Sequence, residues 1–211
     1  MAEIQVGTEI KPSFWDRVAQ GYSMMTRMEA NGTNLQLDAM PLEPGMVVLD
    51  CGCGPGRIAV QAAKRVKKVI CLDSSREMLE ECIKNCEAAG VENVEYVYAD
   101  WQEAEIGTTI PEVDVVIQSR GGGGPTSLEM LKKVARRYAV SVMWSDGAPC
   151  LPESKSRLFA GCYSEDVYRE HPELVNEERF RKNVDAFLTE KEGGFYFFLP
   201  TSSDVSWFQT R

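Results

Sequence analysis

Hydrophobic and polar positions along the chain follow two rhythms. Short, nearly unbroken runs rich in Val, Ile, Leu and Tyr occur at residues 46–50, 69–73, 94–98, 113–118 and 140–145. Runs of this length without polar alternation predict parallel strands covered on both faces. Between them the apolar positions recur at helical spacing. Met78, Leu79, Cys82, Ile83 and Cys86 mark one face of a helix over 75–88, and further helices are predicted over about 56–65 and 126–138. Ahead of the first strand, Phe14, Trp15, Val18, Ala19, Tyr22 and Met25 form an apolar stripe behind a Ser13/Asp16 capping box, so a helix begins there. A second covers about 32–40, before the Pro41/Pro44-Gly45 turn. Ser74 with Glu77, and Thr126 or Ser127, are the predicted N-caps of later helices, and Gly90 sits where a left-handed C-cap is common.

Beyond Asp146 the rhythm changes. Residues 147–157 read as loop, 176–190 as a helix through Phe180, Val184, Phe187 and Leu188, and 195–199 and 205–209 as two short aromatic strands around Pro-Thr-Ser-Ser-Asp, a hairpin that closes the sheet. Strands alternating with helices predict an α/β protein with a mostly parallel sheet. The 211 residues fit a single domain: an N-terminal helical cap over 1–40, a core over 46–146 and a variable segment over 147–211.

Charge narrows the partners. The formal net charge is −9 and Lys/Arg runs are as short as Lys67-Lys68 and Arg136-Arg137, which disfavours a nucleic acid and leaves a small molecule or a protein side chain, with a small molecule the expected partner. With no signal-like apolar N-terminus and no apolar run of about 18 residues, a cytoplasmic protein without membrane contact is expected; oligomeric state is not legible. The cysteine count of seven is odd, and free thiols are the expectation. Cys51/Cys53 and Cys82/Cys86 are spaced as metal ligands, but Cys82 and Cys86 already belong to the apolar helical stripe, and structural zinc needs two close pairs that converge. No metal is expected.

Residues 47–56 read VVLDCGCGPG: a strand ending on Asp50 and running into Gly52, Gly54 and Gly56. A Gly-rich turn between strand and helix allows backbone to approach a nucleotide-like ligand. The dinucleotide fingerprint GxGxxG would need its third glycine at position 57, which is Arg57. A carboxylate just before the glycines also repels a pyrophosphate and suits a ligand bearing an ammonium and a sulfonium. S-adenosylmethionine is therefore favoured over NAD, and an NAD-dependent oxidoreductase is disfavoured.

DCGCGPG, followed by LDSS at 72–75, AD at 99–100 and VDVVIQS at 113–119, resembles the class I S-adenosylmethionine-dependent methyltransferases, nearest to their small-molecule "type 11" group, over roughly residues 14–146. The resemblance implies a doubly wound, Rossmann-like sheet of seven strands, one antiparallel, with helices on both faces. In open α/β sheets the ligand lies beyond the carboxyl ends of the strands. Asp50 and the backbone and Cys53 of the Gly52–Gly56 turn are thus the expected grip on the methionine portion. Asp73, with Ser74 beside it, is expected on the ribose hydroxyls, Asp100 on the adenine amino group and Trp101 on its face. Gln118 and Ser119 stand where the family contacts the methionine part. Asp73 and Asp100 also have a simpler reading as turn or cap residues.

The substrate side is expected from Trp15 and Tyr22 on the first helix, which covers the cofactor in this family, and from Arg120, Gly121 and Gly122 of the Arg-Gly-Gly-Gly-Gly-Pro segment. Arg120 is a candidate clamp for an anionic group. Methyl transfer is an in-line displacement in which positioning supplies most of the acceleration, so a base is optional; the lone histidine, His171, is the candidate, with a surface role as the alternative. The Asn-Pro-Pro-Tyr signature of amide or adenine-amino methyltransferases is replaced by Gln118-Ser119-Arg120-Gly121. The expected activity is methyl transfer to a small molecule; the alternative is a non-catalytic protein that binds S-adenosylmethionine or S-adenosylhomocysteine as a sensor or partner subunit.

Overall fold

The computed structural model describes residues 2–7, 10–11, 13–28, 30–120, 131–145, 155–164, 188–191 and 194–210. In chain order the elements are β1 (Ile4–Val6), α1 (Phe14–Met28), α2 (Ala30–Asp38), β2 (Val47–Cys51), α3 (Arg57–Ala62), β3 (Lys68–Asp73), α4 (Arg76–Ala88), β4 (Val94–Tyr98), β5 (Val113–Ser119), β6 (Ala135–Ser145), β7 (Lys155–Ser164), β8 (Leu188–Lys191) and β9 (Gly194–Gln209). They make one sheet in the order β1-β4-β3-β2-β5-β6-β9-β7, with β8 also paired to β9. From β1 to β6 every pairing is parallel, while β9 runs antiparallel to β6 and β7. Seven of these strands, β4-β3-β2-β5-β6-β9-β7, are the expected doubly wound sheet with one antiparallel member.

The apolar strands are buried on both faces, and alternation assigns each residue its side. Val48, Val69, Cys71, Val115 and Ile117 pack with Ile58, Ala59 and Ala62 of α3 and Leu79 and Cys82 of α4. Leu49, Cys51, Ile70, Leu72 and Val116 pack on the opposite face with Ala104, Ile110, Leu131 and Val134. Strand order reverses between β2 and β5, whose ends meet at the pair Cys51↔Gln118. A cleft opens at such a switch point.

Six expectations need correction. Ile4–Val6, placed within a helical cap, adds an edge strand through Ile4↔Tyr96 and Val6↔Tyr98. The helix expected over 126–138 reaches only Val134 in its described part, and strand β6 starts at Ala135 instead of 140. Its helical spacing was compatible with alternation too: Ala135, Ala139, Val140 and Val142 are all buried in the sheet. Lys155–Ser164, read partly as loop, is a strand, and Leu188–Lys191, read as a helix end, is another; the rest of the 147–157 and 176–190 segments lies outside the described residues. The hairpin expected within 195–209 does not exist: Gly194–Gln209 is one long strand, kept paired past Pro200 by a register shift opposite Ala160/Gly161. A bulge absorbs the residue that lacks an amide donor. Finally, the N-cap of α4 is Ser75, whose Oγ accepts from Met78 N at 3.2 Å, not Ser74.

Other local signals hold. Ser13 Oγ accepts from Trp15 N at 3.1 Å and Asp16 accepts from Ser13 N, the two halves of the capping box. At the end of α4, Gly90 takes φ +66° and Val91 N donates to Cys86 O, a Schellman closure.

Candidate functional site

β2 delivers Asp50 and then turns sharply, with Gly52, Gly54 and Gly56 at φ +71°, +54° and +87°. Only glycine takes these values without strain. The turn folds back over the end of β3: Gly52 N and Cys53 N both donate to Leu72 O, at 2.8 and 3.0 Å, Gly54 N donates to Asp73 Oδ2 at 2.7 Å, and Gly56 N to Cys53 O at 3.1 Å. The loop's amides are therefore engaged internally. It offers a ligand close approach of its backbone rather than a nest of donors, which is the wrong equipment for a pyrophosphate.

Two carboxylates lie beneath it. Asp50 is 1% exposed, and its Oδ2 is buried without a hydrogen-bond partner. Burial pushes its carboxyl up to about 7; Arg57 opposes the rise, the Asp73 carboxylate adds to it, and the amide of Ala59 opposes it. Asp73 spends one lone pair on each oxygen, Oδ2 on Gly54 N and Oδ1 on Ser75 N at 2.8 Å, so each oxygen retains capacity for a further donor. Burial raises its pKa as well, against the pull of the Ser75, Gly54 and Ser74 amides. A pair of buried acids with an orphaned oxygen is complementary to a cation.

A cavity of about 270 Å³ opens above the loop, lined by Trp15, Tyr22, Cys51, Gly52, Gly54, Asp73, Ser74, Met78, Trp101, Gln118, Ser119 and Arg120. A narrower extension of about 30 Å³ runs down to Asp50 and Cys53 and shares Tyr22, Gly52, Gly54, Ser119 and Arg120 with the main cavity. Thus the structure brings together Trp15, Tyr22, Asp50, Gly52, Cys53, Gly54, Asp73, Ser74, Trp101, Gln118, Ser119 and Arg120. Trp15 and Tyr22, two helical turns apart on α1, meet at 5.7 Å between ring centroids with their planes tilted by 59°, and α1 is tied to the site by a 2.6 Å bond from Ser75 Oγ to Asp16 Oδ1.

Two expected residues sit elsewhere. Gly56 lines neither cavity; a Cβ there would lie 2.7 Å from Cys82 Sγ, so this glycine is required by packing on α4. Asp100 is not among the lining residues either: its Oδ1 accepts from Gln102 N at 2.9 Å, an Asx turn that fixes the neighbouring Trp101. Gly121, Gly122 and His171 lie outside the described residues.

Sequence reasoning passed over Arg57, which served only to break the dinucleotide spacing. Its guanidinium donates to Thr33 Oγ1 and Gln36 Oε1, both at 2.8 Å, and to Ser119 Oγ. It thus joins the Gly-rich turn, α2 and the end of β5, three elements remote in sequence. Arg120 was expected, but not its backbone: φ is +56°, the one positive value among described non-glycine residues, with its amide donating to Val142 O at 2.8 Å. An arginine in this conformation is strained, and such strain concentrates at functional rims.

Comparison with known proteins agrees with this geometry. A family model described as a methyltransferase domain matches residues 48–138. The 23S rRNA (uracil(1939)-C(5))-methyltransferase RlmD of Alcanivorax borkumensis is 37% identical over 62 residues, 29% of this chain and 14% of that protein. Among solved structures, an S-adenosylmethionine-dependent methyltransferase from Thiobacillus denitrificans, in complex with S-adenosylhomocysteine, superposes with a TM-score of 0.59 at 14% identity, covering 95% of this chain and 100% of that one. A precorrin-6y C5,15-methyltransferase from Geobacter metallireducens gives 0.56 at 14% identity, covering 84% and 87%. The chain spans less than half the length of the curated relatives it matches.

Proposed function

We propose, from the premise that this chain belongs to the class I S-adenosylmethionine-dependent methyltransferases, that it transfers a methyl group to a small molecule bound above the Gly-rich turn. The observation that carries the reading is the orphaned Oδ2 of Asp50 at the bottom of a cleft whose upper wall is aromatic. That oxygen needs a cationic donor, and the ammonium of S-adenosylmethionine supplies one.

When bound, the cofactor contributes an electrophilic methyl carbon on a sulfonium sulfur. The chain's own residues do the rest. Asp50 and the Gly52–Gly54 backbone would hold the methionine portion, the spare lone pairs of Asp73 the ribose hydroxyls, and Trp101 the adenine face. Gln118 and Ser119 border the methionine side. Trp15 and Tyr22 exclude water and, with Arg120, shape the space for the acceptor. Positioning supplies most of the acceleration, so a protein base is optional.

A small acceptor is supported by the modest cavity and by the net charge of −9, which repels a polyanion. Relatives named for precorrin and for rRNA methylation frame the choice. The test is calorimetry with S-adenosylmethionine and S-adenosylhomocysteine, followed by S-adenosylhomocysteine release with a metabolite fraction or with total RNA as acceptor. Turnover with metabolites alone supports the proposal; turnover with RNA replaces the substrate class. Tight binding of both ligands without turnover in any fraction favours a sensor or partner subunit.

A further inference from the structure

Directly behind the Gly-rich turn, on the face of the sheet that packs against α3 and α4, the sulfur atoms of Cys53, Cys71 and Cys82 all lie within 4.8 Å of one another. Cys71 and Cys82 sulfurs are 3.7 Å apart. Two sulfurs on a tetrahedral zinc ion with bonds of about 2.3 Å are separated by about 3.8 Å. Spacing alone predicts no metal here, because convergence of the sulfurs is the condition it does not supply. The fold meets it in part: Cys53 arrives from the turn after β2, Cys71 from β3 and Cys82 from α4, while Cys51 points to the opposite face of the sheet. Cys86, one helical turn beyond Cys82 on α4 and fully buried, is not one of the three converging sulfurs.

We propose that Cys53, Cys71 and Cys82 form a three-sulfur binding site for a soft metal ion such as zinc, seated under the cofactor loop, with the fourth position open to an exogenous ligand. Several observations converge on it. Thiolates select soft ions, and no other group of three metal-ligating side chains comes together among the described residues. Gly56 leaves space where any side chain would collide with the Cys82 sulfur, so the backbone is shaped around that atom. Cys53 lines the narrow extension beside Asp50, which gives an ion a route from the cleft. An ion here would tie the turn after β2 to β3 and α4, and so stiffen the segment that grips the cofactor.

The test is a titration of the reduced, metal-free protein with Co2+ and then Zn2+. Cobalt should produce an intense sulfur-to-metal charge-transfer band together with visible bands of four-coordinate geometry, saturating at a single equivalent and bleached by zinc. Cys71→Ser and Cys82→Ser should each weaken binding by on the order of a hundredfold, one ligand's share of a structural site, whereas Cys51→Ser, on the other face, should bind as wild type does. Absence of the charge-transfer band in the wild-type protein overturns the site without recourse to any variant. So does a Cys71→Ser protein that folds, by circular dichroism, and binds cobalt at full strength. Neither readout depends on methyl transfer, so failure here leaves the proposed function standing.

Discussion

An aspartate in water is ionised at neutral pH, but burial pushes the Asp50 carboxyl up to about 7 in the ligand-free protein. A carboxyl raised above its ordinary 3.8 favours the folded state most at low pH, and that contribution is lost as pH rises towards 7. The ligand-free protein should therefore lose thermal stability between about pH 4 and 7, and Asp50→Asn should flatten that segment of the curve, as melting temperatures of the two proteins across the range will show. An arriving ammonium favours the ionised form, so binding near pH 6 should release a proton. Calorimetry in buffers of different ionisation enthalpy detects it, and the signal should vanish in Asp50→Asn. Asp73 has a double duty that the ribose assignment alone hides, since it also anchors Gly54 and Ser75. Asp73→Ala should cost about 2–3 kcal/mol of cofactor affinity; affinity unchanged in calorimetry removes the residue from the site. Gly54→Val should abolish binding while the fold persists, because φ of +54° resists a β-branched residue at a surface the ligand must approach.

Among elements, Arg57 is the joint. It opens α3 and reaches α2 and the end of β5, so Arg57→Ala should lower stability to urea by about 2–4 kcal/mol, the order of losing charge-assisted bonds at a part-buried site. Arg57→Lys should not restore it, since one ammonium cannot span the fork. On α1, Trp15 and Tyr22 line the cavity. Trp15→Ala should change kcat/KM with little effect on cofactor affinity. Arg120→Ala should lower kcat or raise KM about tenfold under the anionic-substrate reading; loss of cofactor affinity in its place moves Arg120 to the cofactor grip. Elements also show where sequence pattern misleads. Ala135 and Ala139, four apart, fall on one face in a helix and in a strand alike, and the neighbouring β5 settled the matter by pairing with the segment from Val113↔Ala135 onward. Gly194–Gln209 contains turn residues, yet partners on both sides kept it extended.

At the level of the whole molecule, net charge of −9 predicts weak, strongly salt-dependent association with RNA at most. Filter binding of total RNA at about 150 mM salt should show no retention, given the steep loss of phosphate contacts with salt. Sequence by itself determined the parallel strands, the Gly-rich turn after β2 and the acids at strand ends, because these are local: an apolar run, a positive φ and a strand terminus are each encoded within a few residues. It also disfavoured a dinucleotide, through the Arg57 that breaks the GxGxxG spacing. What only tertiary structure decided was which of these residues meet. Topology puts the ends of β2 and β5 side by side, makes Arg57 a bridge, turns Asp100 into a loop brace and Gly56 into a packing contact, and gathers Cys53, Cys71 and Cys82 from three elements into one cluster. Contacts across long sequence separations depend on how faces alternate and strands order themselves, and no window of local sequence carries that information.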